Sequence, residues 1–370
     1  MRILIDAHMV GECESGNERY IFNLIKALVA ISPPAEFIVA ASHPEAFDDV
    51  LKSQKSWQVA PVSAPAWRRL GYELPLLARQ RKADLMHVTY AAPPWPGCKV
   101  VTTVHDVSFK PHPEWFSRRD QLVLRAGVGV TLAMGAEVLT ISEYTHSEII
   151  RFYGVAGSRI HVAHLAGDSC FKACPCDGDQ GSLIQLGVRC PYVLAVGNLQ
   201  PRKNLIRLLQ AVASVKREHG VTFQLVIAGK AQWRESDVSS EVRRLGLEQD
   251  VLFPGYVSDQ ILAVLYRYAT VFVYPSLYEG FGLPVLEAMA CGTPVVTSRC
   301  TSIPEVAGDA AIMVDPANTV ELSSAVGRIL TDSLLAASLC EKGLKQAARF
   351  TWERTARQTW DVYRRIVEGS

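Results

Sequence analysis

The chain has 370 residues, enough for two domains of ordinary size that each bury a core. Its residues are 49% hydrophobic and 20% charged, which excludes a disordered chain, and a formal net charge of +1 supplies no global attraction to nucleic acid. No apolar run reaches the 18 or so residues of a membrane span, although peripheral membrane contact stays open.

The chain enters a strand at once, at Ile3 to Ile5, so no signal peptide is expected. A loop from Asp6 to Gly16 and a helix from Arg19 to Ala30 follow, which is the unit of a doubly wound sheet. Its glycines do not follow G-x-G-x-x-G, so a dinucleotide fingerprint is missing. Strands are expected at 36–41, 83–88, 100–104, 136–140 and 160–165, with a helix over 74–82. The cluster Trp67, Arg68, Arg69, Arg79, Arg81 and Lys82 has two readings, a solvated helix face or a seat for anionic lipid headgroups.

The strand 100–104 ends in His105-Asp106, where active sites of open α/β sheets lie. His105 is therefore a candidate functional residue, whereas His112, His161 and His164 read as structural. Ser142 is placed to cap the helix that runs to Tyr153. The polar stretch 167–183 reads as the linker between domains. The nine cysteines form no paired C-x-x-C array; they read as mostly buried thiols in a reducing cytoplasm, with no metal site.

In the second half, strands are expected at 192–197, 223–227, 251–253, 269–274 and 295–297. Arg202 and Lys203 stand between the first of these and the helix that starts at Leu205. Two fixed cations there can stabilise the charge of a departing diphosphate without a bound metal. Asp259 reads as the N-cap of the next helix, and helices are expected over 319–330, 333–350 and 352–367.

Between the strands 269–274 and 295–297 lies Glu279-Gly280-Phe281-Gly282-Leu283-Pro284-Val285-Leu286-Glu287. This is a glycine turn opening a helix. Gly280 and Gly282 admit a ligand close to the backbone, and the amides of the first helical turn favour an anion such as a diphosphate. Glu279 and Glu287 can accept hydrogen bonds from the hydroxyls of a transferred sugar and of a ribose.

This motif, two glutamates eight residues apart followed by Ala-Met-Ala-Cys-Gly-Thr-Pro-Val-Val, resembles the signature of the retaining glycosyltransferases of family 4. The resemblance covers most of the chain. It implies an α/β fold of the GT-B type, two Rossmann-like doubly wound domains facing a central cleft. The first would be an acceptor domain over 1–175, with the helix 352–370 crossing back to it. The second would be a nucleotide-sugar domain over 185–350. Closure about a hinge would then bring His105 to the donor. The resemblance also implies His105, Arg202, Lys203 and Glu279 as the catalytic set. Gly16, Asn198, Tyr256, Val257, Gly280, Phe281, Gly282, Leu283 and Glu287 would contact the nucleotide sugar. One departure stands out: Ser15-Gly16-Asn17-Glu18-Arg19-Tyr20 occupies the place where the family has two glycines before Arg-Tyr.

The stretch His105-Asp106, then His112-Pro113-Glu114-Trp115-Phe116, is most similar to bacterial mannosyltransferases of surface polysaccharide synthesis. It implies GDP-mannose as donor, no separate cofactor, and a saccharide or lipid-linked saccharide acceptor. The place implied is the cytoplasm or the inner face of the plasma membrane. Same-face substitution, with the leaving phosphate assisting as base, is the mechanism implied. The rivals are a nucleotide-sugar-binding protein without turnover and another GT-B enzyme, such as an epimerase or a sugar-phosphate synthase.

Overall fold

The computed structural model describes residues 1–11, 15–230 and 235–369. The chain divides into two units, residues 1–165 together with 351–370, and residues 166–350.

The first unit is built on a parallel sheet. Its described strands are β1 Arg2–Asp6, β2 Glu36–Ala41, β3 Trp57–Pro61, β4 Leu85–Thr89, β5 Lys99–Val104, β6 Glu137–Thr140 and β7 Ile160–Val162. They lie in the order β3-β2-β1-β4-β5-β6-β7. The inner strands are mostly β-branched and aliphatic residues, buried on both faces as inner parallel strands must be. The helices Leu74–Arg81 and Arg118–Ala133 carry connections that run the same way across the sheet, β3 to β4 and β5 to β6. Right-handed crossover therefore puts both on one face. The helix Ser15–Ile31 runs back from β1 to β2 and takes the opposite face, where the helix Trp352–Glu368 packs against it.

The second unit has a parallel sheet of β8 Tyr192–Val196, β9 Gln224–Ala228, β10 Val251–Gly255, β11 Val271–Tyr274, β12 Val295–Ser298 and β13 Ile312–Val314. Their order is β10-β9-β8-β11-β12-β13. Strand order reverses between β8 and β11, and the loops beyond their carboxyl ends open a crevice there. One apolar core joins Val193, Ala195, Leu208, Leu225, Val271, Val273, Leu322 and Val326.

Several expectations are corrected. The boundary falls before Ala166, so 166–175 belongs to the second unit rather than the first. Phe171 packs edge-on against Tyr266, and Arg267 donates to the Lys172 carbonyl at 2.9 Å, which holds the segment there. The expected linker contains a helix, Asp179–Gln185, tied down by a buried Asp179–Arg267 ion pair at 3.0 Å. Ser258, not Asp259, caps the helix Asp259–Tyr268, accepting from the Ile261 amide. Ser142 does cap its helix, accepting from the Thr145 amide at 3.1 Å. The thiols are not mostly buried: Cys291 is, whereas Cys174, Cys176 and Cys190 are exposed. Among the described residues, no helix is long and apolar enough to cross a membrane.

Arg69 leaves the basic surface cluster. It is buried and pairs with Asp6 at 3.3 Å, while Arg68, Arg79, Arg81 and Lys82 stay exposed.

Candidate active site

The carboxyl end of β8 continues as Gly197 to Gln200, then a single 3-10 turn, Pro201–Lys203, and Asn204. The carboxyl end of β11 continues as Pro275 to Gly282. Because β8 and β11 are neighbours, the two loops meet. The Leu277 amide and the Ser276 hydroxyl both donate to the Arg202 carbonyl, at 2.7 and 3.0 Å. Asn204 has the left-handed backbone with φ +59°, and its amide donates to the Pro275 and Pro316 carbonyls. Thr301, also left-handed with φ +56°, accepts the Glu279 amide through its hydroxyl at 3.2 Å. Ser302 donates to the Glu279 and Phe281 carbonyls at 2.8 and 2.9 Å. Strained backbone of this kind gathers at sites the surrounding structure over-determines.

Glu279 is the centre of this arrangement. Its Oε1 accepts from Arg202 Nη1 at 2.7 Å, Lys203 Nζ at 2.6 Å, the Tyr274 hydroxyl at 2.8 Å and the Ser276 hydroxyl at 2.6 Å. Burial alone would raise its pKa, but Arg202 and Lys203 outweigh that and hold it at about 2. The carboxylate is thus ionised at any working pH. Its other oxygen, Oε2, accepts nothing from the described residues, so it keeps its full capacity for a hydroxyl donor. Lys203 also donates to the Tyr274 hydroxyl and lies over that ring at 4.6 Å. Tyr274 stays a neutral donor, since burial and the adjacent Glu279 raise its pKa.

Two glycines make room for this packing. A Cβ on Gly229 would lie 2.1 Å from the Gly197 carbonyl oxygen, a clash of backbone with backbone. Gly282 has φ +113°, and a Cβ there would strike Ile303 at 2.7 Å. Gly282 is the N-cap of the helix Leu283–Ala290 and offers no side-chain cap. The Leu283 amide at this helix start has no carbonyl one turn back to bond, and the helix dipole adds positive potential there. An anion beside it would lie in the crevice that Arg202 and Lys203 line.

The other expected nucleotide contacts are less alike. Glu287 sits one turn into the same helix, nearly buried, with Oε2 accepting from the Tyr266 hydroxyl at 3.2 Å. Asn198 accepts the Lys230 amide at 3.3 Å. Tyr256 is exposed beyond β10, with Lys230 Nζ 5.1 Å from its ring centroid, and Val257 follows it.

In the first unit, His105 lies just past β5, with the Tyr20 ring edge-on at 4.7 Å and the Tyr90 ring at 5.9 Å. It is buried, and its Nε2 has no hydrogen-bond partner among the described residues. Burial pushes its pKa down to about 4, so the ring is neutral near pH 7. Tyr90 carries φ +62°, a left-handed conformation that costs a bulky residue strain. Gly16 lies exposed in the first turn of the helix Ser15–Ile31, rather than in a loop before it. Glu18, near the missing glycine, accepts the Gly11 amide at 2.8 Å.

Residues 15–168 match the family Glycosyltransferase Family 4, and residues 186–346 match the family Glycosyl transferases group 1. The O-antigen chain mannosyltransferase B of Escherichia coli is 35% identical over 271 residues, 72% of this chain and 70% of that protein. The chain is a family 4 glycosyltransferase. It is also similar to the MMP alpha-(1->4)-mannosyltransferase of Mycolicibacterium hassiacum, 34% identical over 235 residues, 62% of this chain and 54% of that protein. Its fold is that of Alr3699/HepE from Anabaena, solved in complex with UDP and glucose, with a TM-score of 0.76. That likeness covers 98% of this chain and 99% of the other at 21% identity. The glycosyltransferase thus has the GT-B architecture, two Rossmann-like units.

Tyr274, Ser276, Thr301 and Ser302 complete the Glu279 cluster and stand outside the motifs that the sequence shows. Tyr274 and Ser276 stand within five residues of Glu279, a signal that was available. Thr301 and Ser302 come from the loop after β12, and only the sheet order brings them close.

Proposed function

We propose that this glycosyltransferase moves a hexose, with mannose favoured, from a nucleoside-diphosphate sugar to a saccharide or lipid-linked saccharide acceptor, with retention at the anomeric carbon. The observation that carries the reading is the buried Glu279, with one oxygen held by Arg202, Lys203, Tyr274 and Ser276 and the other open. An ionised carboxylate fixed in this way is a directed acceptor for a sugar hydroxyl. The neighbouring cations and the uncapped helix start suit a diphosphate, whose charge grows as its bond to the sugar breaks.

In this reading the bond from C1 to the β-phosphate oxygen breaks as the acceptor oxygen bonds C1 on the same face. The acceptor's proton passes to the departing phosphate oxygen. Arg202 and Lys203 stabilise that phosphate, Glu279 Oε2 holds a hydroxyl of the hexose, and Glu287 faces the ribose. His105 holds a sugar hydroxyl through its neutral imidazole. The names of the two relatives, both mannosyltransferases and one of an O-antigen chain, support mannose and surface polysaccharide assembly. The UDP and glucose bound to the Anabaena protein support a nucleotide sugar as donor.

An acceptor on a lipid would bring the enzyme to the inner face of the membrane, and the first unit exposes residues suited to it. Trp67 and Trp95 are 79% and 80% exposed, and Tyr72, Leu122 and Val123 are exposed with them. Arg68, Arg79, Arg118 and Arg119 are exposed in the same segments. Amphipathic rings with arginines suit an anionic headgroup layer.

The test is incubation with labelled GDP-mannose and UDP-glucose, with and without a polyprenyl-linked oligosaccharide, beside thermal shifts with GDP, UDP and ADP. Labelled sugar on the lipid, anomerically retained, is expected. Nucleotide release with no sugar on any acceptor, or binding without turnover, overturns the reading in favour of its rivals.

A further inference from the structure

Four buried polar side chains run in single file through the first unit. The Tyr363 hydroxyl, on the helix Trp352–Glu368, is 2.5 Å from His87 Nδ1 on β4. His87 Nε2 is 2.7 Å from the Thr103 hydroxyl on β5. The same hydroxyl is 2.9 Å from the Tyr20 hydroxyl on the helix Ser15–Ile31. The Tyr20 ring then stands edge-on to His105, at an interplanar angle of 83°. His87 and Tyr363 are fully buried, and Thr103 and Tyr20 nearly so.

Such a row is costly unless every member is bonded. A neutral His87 fits it, one ring nitrogen donating and the other accepting. Burial keeps His87 neutral, with a pKa near 3. An apolar core at these four positions would do without that requirement. What the file adds is a fixed place for the Tyr20 ring, and that ring is one wall of the His105 pocket.

We infer that Tyr20 is a positioning residue for His105, and that the file Thr103, His87 and Tyr363 holds Tyr20 in register. The inference rests on the reading that His105 acts on a sugar. The file makes the helix Trp352–Glu368 part of the catalytic support, because its Tyr363 anchors the far end. Displacement of a working group by an ångström can cost ~10²-fold in rate.

The experiment uses the full chain and the isosteric variants Tyr20→Phe, Thr103→Val and Tyr363→Phe, singly and paired, with His105→Ala as reference. Each single variant is expected to lower kcat roughly tenfold with the donor KM unchanged. The pair Thr103→Val with Tyr363→Phe is expected to cost no more than the worse single change, since a file broken once is broken. The His105 imidazole resonance of selectively labelled protein, free of ligand, is expected to shift or broaden in every variant. That readout does not depend on which nucleotide sugar is used. Full turnover in His105→Ala removes the reading of His105 and the inference with it. A fall in His105→Ala beside unchanged turnover and an unmoved resonance in the file variants overturns the inference alone. Additive losses of stability with normal kcat do so too, and show the file to be core.

Discussion

Lys203 Nζ lies 2.6 Å from Glu279 Oε1, and both groups are buried at the switch point of the second sheet. Their chemistry is joined: the cation that would meet the departing phosphate also sets the charge and direction of the carboxylate that would meet the sugar. Removing either leaves the other buried with a weaker partner.

Lys203→Ala and Glu279→Gln are therefore expected to lower turnover by ~10² to 10³, in the range seen when a preorganised charge is removed. They also destabilise the second unit. Breaking a buried ion pair from one side costs about 3 to 5 kcal/mol, and Arg202 and Ser276 recover part of it for Glu279. Steady-state rates and thermal melts of the two variants check this. Wild-type turnover in either means that the cluster is structural only.

Acid should act on the two units differently. His87 and His105 are held near 3 and 4 by burial, below the ordinary histidine value of about 6.5. As pH falls from 6.5 towards 4 the unfolded chain takes up protons that the folded rings refuse, so stability falls. Each ring contributes about 1.4 kcal/mol per pH unit across its window. Glu279 works lower down. Its pKa is depressed to about 2, so its contribution is complete above about 4.5 and is lost as pH drops through 2. Thermal melts between pH 7 and 4 should show a slope that His105→Asn makes shallower. An unchanged slope would mean that His105 is accessible to protons.

If the exposed Trp67, Trp95 and neighbouring arginines meet lipid, the protein floats with vesicles rich in phosphatidylglycerol and only weakly with neutral ones, less so as salt rises. Trp67→Ser and Trp95→Ser should each reduce the bound fraction roughly tenfold in partition. Equal binding to neutral and anionic vesicles, or none to either, would remove this surface from the reading.

Much of the second unit was legible because its chemistry is local. Glu279, Gly282 and the helix after them are consecutive, and glycine and proline punctuate that helix at both ends. Arg202 and Lys203 were legible for the same reason, lying between a strand and a helix. The helix Arg118–Ala133 was not, since Gly127, Gly129, Val128 and Val130 weaken its helical pattern and its apolar residues fall partly outward. The strand β3, with Gln58 and Pro61, reads poorly for its own reasons, as does the three-residue β13. His87 gave no signal at all. Its partners Thr103 and Tyr363 lie 16 and 276 residues away, and only the folded sheet joins them.

The helix Trp352–Glu368 closes the first unit, yet the ribosome makes it after the whole of the second. Until then the nascent first unit lacks the Trp360 ring beside Phe37 and the Tyr363 hydroxyl beside His87. The amino-terminal half must therefore wait, incomplete, through some 185 codons of its neighbour's synthesis, counting residues 166–350. A premature stop after the second unit would spare the second sheet and cripple the domain translated first.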